Sequence, residues 1–241
     1  MSSSEKISKM AGTGYLIIFI TGIFSNFFVL ESLILTRDPA ATMQNIISHD
    51  MLFRAGIFSF VLMVVFDVFL AWALYILLRP VNSNLSLLAG WLRLANSVIF
   101  GVALYHLFGI LRLLSGAEYL TVFDTAQLGA MVILSYVTFN DIWLIGLVFF
   151  GLHLFALGYL IIKSGYIPKF IGFFLVIAAV GYLTDSFANF MLPNYGDYKD
   201  ILLMIVIVPG VIGELSLTFW LLLKGVKDQS LDMVFEESKI A

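Results

Sequence analysis

The chain contains no cysteine, which removes disulfides, thiolate metal sites and a cysteine nucleophile from consideration. Charge is scarce as well: 12% of the 241 residues are charged, about half the share usual in a soluble domain. No basic run occurs, and the net charge of −3 offers nothing to nucleic acid. A phosphate-binding glycine loop is missing, which excludes an ATP-driven motor within this one chain. So is the Gly-x-Ser-x-Gly nucleophile turn; Ser164-Gly165 falls in a turn where the glycine most simply caps a helix. The three histidines, His49, His106 and His153, occupy separate segments, with no His-x-x-x-His or His-Glu-x-x-His pair. A metal set of His153, Asp67, Asp185 and Glu214 is conceivable but shows no ligand spacing, and His153 lacks a matched haem partner. The expectation is therefore no metal and no cofactor.

What is present is apolar bulk. Apolar residues make up 61% of the chain, and a mean hydropathy of +1.02 over its whole length leaves no room for a separate soluble domain. Spans need roughly 20 apolar residues. Six runs qualify, at about 10–35, 51–78, 85–114, 141–162, 170–192 and 201–223, with Pro209-Gly210 placed to kink the last. The first run is too long for a signal-peptide core and lacks an Ala-x-Ala site, so it reads as a retained span. Residues 125–139 are apolar but short, and read as an interfacial or re-entrant helix between the third and fourth spans. A polar tail follows at 224–241. The expected fold class is thus all-α, a polytopic membrane helix bundle forming a single transmembrane domain. No repeat relates its halves, so an inverted-repeat transporter finds no support.

Orientation follows from the basic residues. With both termini inside, Lys6, Lys9, Arg79, Lys163, Lys169, Lys224, Lys227 and Lys239 are cytoplasmic, while Arg37, Arg112 and Lys199 lie outside. Arg54 and Arg93 fall within spans. The expected location is the bacterial cytoplasmic (inner) membrane.

Several short stretches carry a family likeness. They are Leu74-Tyr-Ile-Leu-Leu-Arg-Pro-Val-Asn82, Leu114-Ser-Gly-Ala-Glu-Tyr-Leu120 and Gly146-Leu-Val-Phe-Phe-Gly-Leu-His153, followed by Ser164-Gly-Tyr-Ile-Pro168, Gly181-Tyr-Leu-Thr-Asp-Ser186 and Gly213-Glu-Leu-Ser-Leu217. Together they resemble the bacterial multi-pass family labelled "domain of unknown function 4386". The resemblance implies a helical membrane domain and assigns no catalysis.

Chemistry is to be sought among the ionisable residues inside the spans. A charge at the bilayer centre costs about 2.5–3.5 kcal/mol on insertion scales. Asp67 lies 12 residues before Arg79, His153 10 before Lys163 and Glu214 10 before Lys224, with Arg93 about 8 residues into its span. Facing lipid, these four would together cost on the order of 10 kcal/mol, so they are expected to converge inside the bundle. Asn96 and Ser97, three and four residues after Arg93, share its helix face. The functional reading is a polar chamber in which Arg93 holds one acid ionised and the other shares a proton with His153. The bland reading is an ion-pair network that sets helix register.

An outer layer of Arg54, Asp141, Asp185 and Asn189, with Glu31 and Asn140 nearby, reads either as a ligand vestibule or as ordinary interfacial charge. The 23 phenylalanines, including Phe149-Phe150, read as lipid-facing bulk. Three functions stay open: binding or translocation of a small, protonatable or lipid-like ligand, intramembrane enzymology on a lipid or isoprenoid, and a non-catalytic sensor or partner subunit. Expected partners are membrane lipids and a small hydrophobic or amphipathic ligand, with no nucleic acid.

Overall fold

A computed structural model describes residues 3–227. Its helices are α1 (Ser3–Leu33), α2 (Pro39–Ser48), α3 (Asp50–Leu78), α4 (Ser83–Leu113), α5 (Thr125–Ser164), α6 (Lys169–Met191) and α7 (Lys199–Leu223). All but α2 are long and apolar enough to cross a membrane, and no strand occurs among the described residues. The chain is an all-α polytopic bundle. Of the polar tail, residues 224–227 close α7 and the rest lies outside the described residues.

Three local features depart from the pattern of the apolar runs. Residues 125–139 do not form a separate short helix; they are the first part of α5, which runs unbroken for 40 residues. Nothing between Phe139 and Ile142 breaks a helix, and Asn140 returns its amide to the Tyr136 carbonyl at 3.1 Å. At 1.5 Å per residue such a helix reaches about 60 Å, well beyond the roughly 30 Å hydrocarbon layer. In α1, Phe24–Leu30 winds as a π-helix. There Ser25 Oγ donates to the Gly56 carbonyl at 2.8 Å, and Val29 beds against Gly56 so closely that an added Cβ would stand 2.7 Å away. The helix α2 begins at an Asp-Pro pair: Asp38 Oδ1 accepts the Ala41 amide at 2.9 Å, and Pro39 supplies the first helical residue.

The chain divides into two compact units. The first takes its described residues from Met1–Leu16, Phe66–Ser97 and Ile145–Ala241; the second comprises Ile17–Val65 and Val98–Leu144. The second unit is built on aromatics. Trp143 stacks on Phe100 with centroids 3.6 Å apart and meets Phe60 and Phe139 at 5.2 and 5.3 Å.

The first unit relies on close backbone approach, as helices in lipid must in the absence of a hydrophobic drive. A Cβ on Gly158 of α5 would lie 2.7 Å from the Gly172 carbonyl of α6, and one on Gly172 would lie 2.6 Å from the Gly158 carbonyl. Further along, Gly181 of α6 sits where a Cβ would come within 2.8 Å of the Ile205 carbonyl. Pro209 has no N–H to give that carbonyl, so the bare oxygen lies against the one residue type that lets α6 approach it. Ser8 ties the start of α1 to the end of α7: its hydroxyl donates to the Leu221 carbonyl at 3.3 Å and accepts the Val226 amide at 3.2 Å. The chain turns there at Gly225, whose φ of +66° suits glycine.

Gly158→Ala is expected to destabilise the protein by about 1–3 kcal/mol, because the new methyl lands on backbone that cannot yield. Gly101→Ala, where a Cβ meets nothing within 4 Å, is expected to be neutral or stabilising by up to about 1 kcal/mol. Thermal unfolding of both variants in one detergent checks the contrast.

Candidate functional site

Arg93 is 1% exposed, and its side chain is enclosed by residues of the first unit. One turn of α4 presents Arg93, Asn96 and Ser97 on a single face, and that face grips one carboxylate. Arg93 NH2 lies 2.5 Å from Asp67 Oδ1, while Asn96 Nδ2 and Ser97 Oγ reach Asp67 Oδ2 at 3.2 and 2.9 Å. The Ser97 hydroxyl also lies 3.0 Å from the Arg93 carbonyl, so its single proton has two acceptors to serve. Both oxygens of the buried Asp67 are therefore satisfied by donors from one helix turn.

His153 of α5 holds the opposite side of the guanidinium. Arg93 NH1 donates to His153 Nε2 at 3.0 Å, and His153 Nδ1 lies 2.8 Å from the Ala89 carbonyl. A guanidinium only donates and a carbonyl only accepts, so the ring is neutral with its proton on Nδ1. This corrects the expectation that His153 shares a proton with an acid. The imidazole serves as an acceptor for Arg93 and orients it.

Two aromatic faces complete the enclosure. The Arg93 guanidinium carbon lies 5.1 Å from the Tyr15 ring centroid and 5.5 Å from that of Phe150. Phe150 is thus part of the site rather than lipid-facing bulk, and its ring meets Tyr182 edge-on at 5.2 Å. Nothing in the sequence distinguished Tyr15 or Phe150 from the other aromatics; only their packing does.

Glu214 of α7 lies within electrostatic reach of Arg93, Asp67, Tyr15 and Tyr182. It is partly exposed, and its carboxylate takes no hydrogen bond among the described residues. Its backbone carbonyl, by contrast, accepts the Thr218 hydroxyl at 2.6 Å. Around the same centre, Arg93 Nε and Asn96 Oδ1 are buried without a hydrogen-bond partner among the described residues, and the Tyr15 hydroxyl has only a loose approach to Arg93. Each such orphan costs about 1–3 kcal/mol unless something else satisfies it.

The outer residues are divided between the two units. Arg54 is bound to Asp50, four residues earlier on α3, at 2.7 Å with both side chains about half exposed. Asp141 is exposed, and both belong to the second unit. In the first unit Asp185 is buried and accepts the Tyr195 hydroxyl at 2.8 Å, with Asn189 bearing on the same hydroxyl. Burial, and then the bond to Asp185, push the Tyr195 hydroxyl up to about 12. His49 and His106 belong to the second unit and His153 to the first. Among the described residues no three His, Asp or Glu side chains gather as metal ligands would.

Six apolar helices and a guanidinium–carboxylate pair sealed among them define a polytopic integral membrane protein with an ionised interior. The family model described as "Domain of unknown function (DUF4386)" matches residues 10–225, and the chain belongs to that family. A relative from Archaeoglobus fulgidus, described as "Uncharacterized protein", is 34% identical over 174 residues, covering 71% of this chain and 83% of its own length. No solved structure matches the chain.

Removing either partner of the buried pair strands the other. Asp67→Leu and Arg93→Met are each expected to cost about 3–5 kcal/mol, and the double variant less than the sum of the two. A double-mutant cycle in unfolding free energy measures this; strict additivity would show that the pair does not couple. Separately, a tyrosinate appearing near pH 12 in an absorbance titration is expected to vanish in Tyr195→Phe. Because that pKa is raised on folding, its contribution to stability is present below about pH 10 and lost as pH rises through about 12.

Proposed function

We propose that this membrane protein binds or translocates a small ligand at the Arg93 centre, with Glu214 as the group that exchanges with ligand or proton. The observation that supports this is an asymmetry between the two acids. Asp67 is saturated by Arg93, Asn96 and Ser97, as a structural counter-ion is. Glu214, within electrostatic reach of the same cation, has no side-chain hydrogen bond among the described residues. A carboxylate carried into a membrane span without a hydrogen bond is expensive, and such groups mark ligand or ion pathways. The Nε–H of Arg93 and the Asn96 side-chain oxygen, with the Tyr15 hydroxyl only loosely held by Arg93, offer a polar ligand both donors and acceptors.

In this reading Asp67 and His153 position the guanidinium, which supplies the fixed positive charge. The ligand is small and amphipathic or protonatable, and membrane lipids are the surrounding partners. The basic residues favour both termini on the cytoplasmic side of the inner membrane, since Arg79, Lys163, Lys169, Lys224 and Lys227 close the same ends of the helices.

The test is extraction of co-purifying small molecules from the full chain, quantified by mass spectrometry in wild type and Glu214→Gln. A molecule retained by wild type is expected to fall about ten-fold or more in the variant, the loss of one charge-assisted hydrogen bond. Equal retention, with an unchanged unfolding temperature, overturns the assignment of Glu214.

A further inference from the structure

A second feature of the first unit is independent of the Arg93 centre. A groove of about 610 Å³ runs between one stripe of α1 and one stripe of α3. On α1 the stripe is Lys6, Met10 and Gly14, each four residues on from the last, with Lys9 and Thr13 alternating beside them. On α3 it is led by Phe66, Phe69 and Trp72. Gly14 keeps the floor open: a Cβ there would meet no atom within 4 Å. Thr13 turns its hydroxyl back to the Lys9 carbonyl at 2.9 Å and adds no polarity to the channel. The groove is therefore hydrocarbon-lined along its length and carries two ammonium groups at the N-terminal end of its α1 wall.

We propose that this groove is a binding site for an anionic phospholipid, with an acyl chain along the α1–α3 trough and the phosphate between Lys6 and Lys9. The charge pattern selects the occupant. A neutral lipid fills the trough equally well but gains nothing from two cations, and a free anion gains nothing from an aromatic floor. An anionic lipid uses both. Lysines can lie along the helix and raise their charged ends to the headgroup level, where anionic lipid attracts each by about 1 kcal/mol. The volume falls in the range of built ligand sites.

Trp72 makes the site directly readable. The full chain is reconstituted in phosphatidylcholine vesicles in which a minor fraction of lipid carries bromine on its acyl chains, on either phosphatidylglycerol or phosphatidylcholine. The Trp72 signal is taken as the difference from Trp72→Phe. Brominated phosphatidylglycerol is expected to quench Trp72 more than brominated phosphatidylcholine at equal fraction. The preference is expected to fall about five-fold for each lysine neutralised, in K6Q and K6Q/K9Q, and to weaken with salt. Gly14→Leu, which fills the trough, is expected to reduce quenching by both lipids. Equal quenching by the two lipids overturns the proposal, as does a preference that survives K6Q/K9Q or yields to inorganic phosphate alone. Should Trp72→Phe fail to fold, native mass spectrometry of detergent-solubilised wild type and K6Q/K9Q gives the same comparison. Both lysines are exposed, so that pair of substitutions leaves the core intact. One retained phosphatidylglycerol lost in K6Q/K9Q supports the site, and no difference refutes it.

Discussion

The contact between Arg93 and Asp67 constrains the first unit more than any other. Two ionised groups in a membrane-spanning region are tolerable only if each is neutralised and hydrogen-bonded by the other. That requirement sets the register of α4 against α3, because Asn96 and Ser97 reach the same carboxylate only when Arg93 does. It also places α5, since His153 must accept from the guanidinium while its other nitrogen binds the Ala89 carbonyl of α4. Tyr15 and Phe150 then cover the faces of the cation with π density where lipid would otherwise lie.

Around this pair the unit shows two kinds of polarity. Asp67 and His153 are closed: every strong site on them is occupied by protein. Among the described residues the Glu214 carboxylate, Arg93 Nε and Asn96 Oδ1 lack a hydrogen bond and the Tyr15 hydroxyl is only loosely held by Arg93, all of them close to the same positive charge. A network serving only as glue has little reason to leave several of its members unsatisfied, whereas a binding centre needs spare donors and acceptors. The close backbone approaches at Gly158–Gly172 and Gly181–Ile205 give the open groups a rigid frame, because a helix contact made through backbone has little slack.

Some of this was legible in the residues. The i, i+3, i+4 spacing of Arg93, Asn96 and Ser97 implied a shared face, and counting from the boundary residues put Asp67, His153 and Glu214 at similar depth. The Asp38-Pro39 start of α2 and the Asp50–Arg54 pair at i, i+4 are local patterns whose signal lies within a few residues of sequence. The partner of His153, and the roles of Tyr15 and Phe150, had no signal to read. An imidazole flanked by apolar residues looks the same whether it meets an acid or an arginine, and two aromatic rings among 23 phenylalanines and 10 tyrosines do not announce a cation. The unbroken α5 was obscured because a polar Asn-Asp pair at 140–141 resembles a boundary, although each residue can be absorbed within a long helix.

The sequence by itself determined the solvent and the element type: with this hydropathy, backbone groups must be satisfied within helices, and the scarcity of charge makes each buried ionisable residue conspicuous. Helical periodicity determined which polar residues share a face. Tertiary structure alone decided which faces meet. Pairing depends on rotation and axial offset between helices far apart in sequence, and those are settled jointly by glycine contacts, aromatic packing and the need of one arginine for one carboxylate.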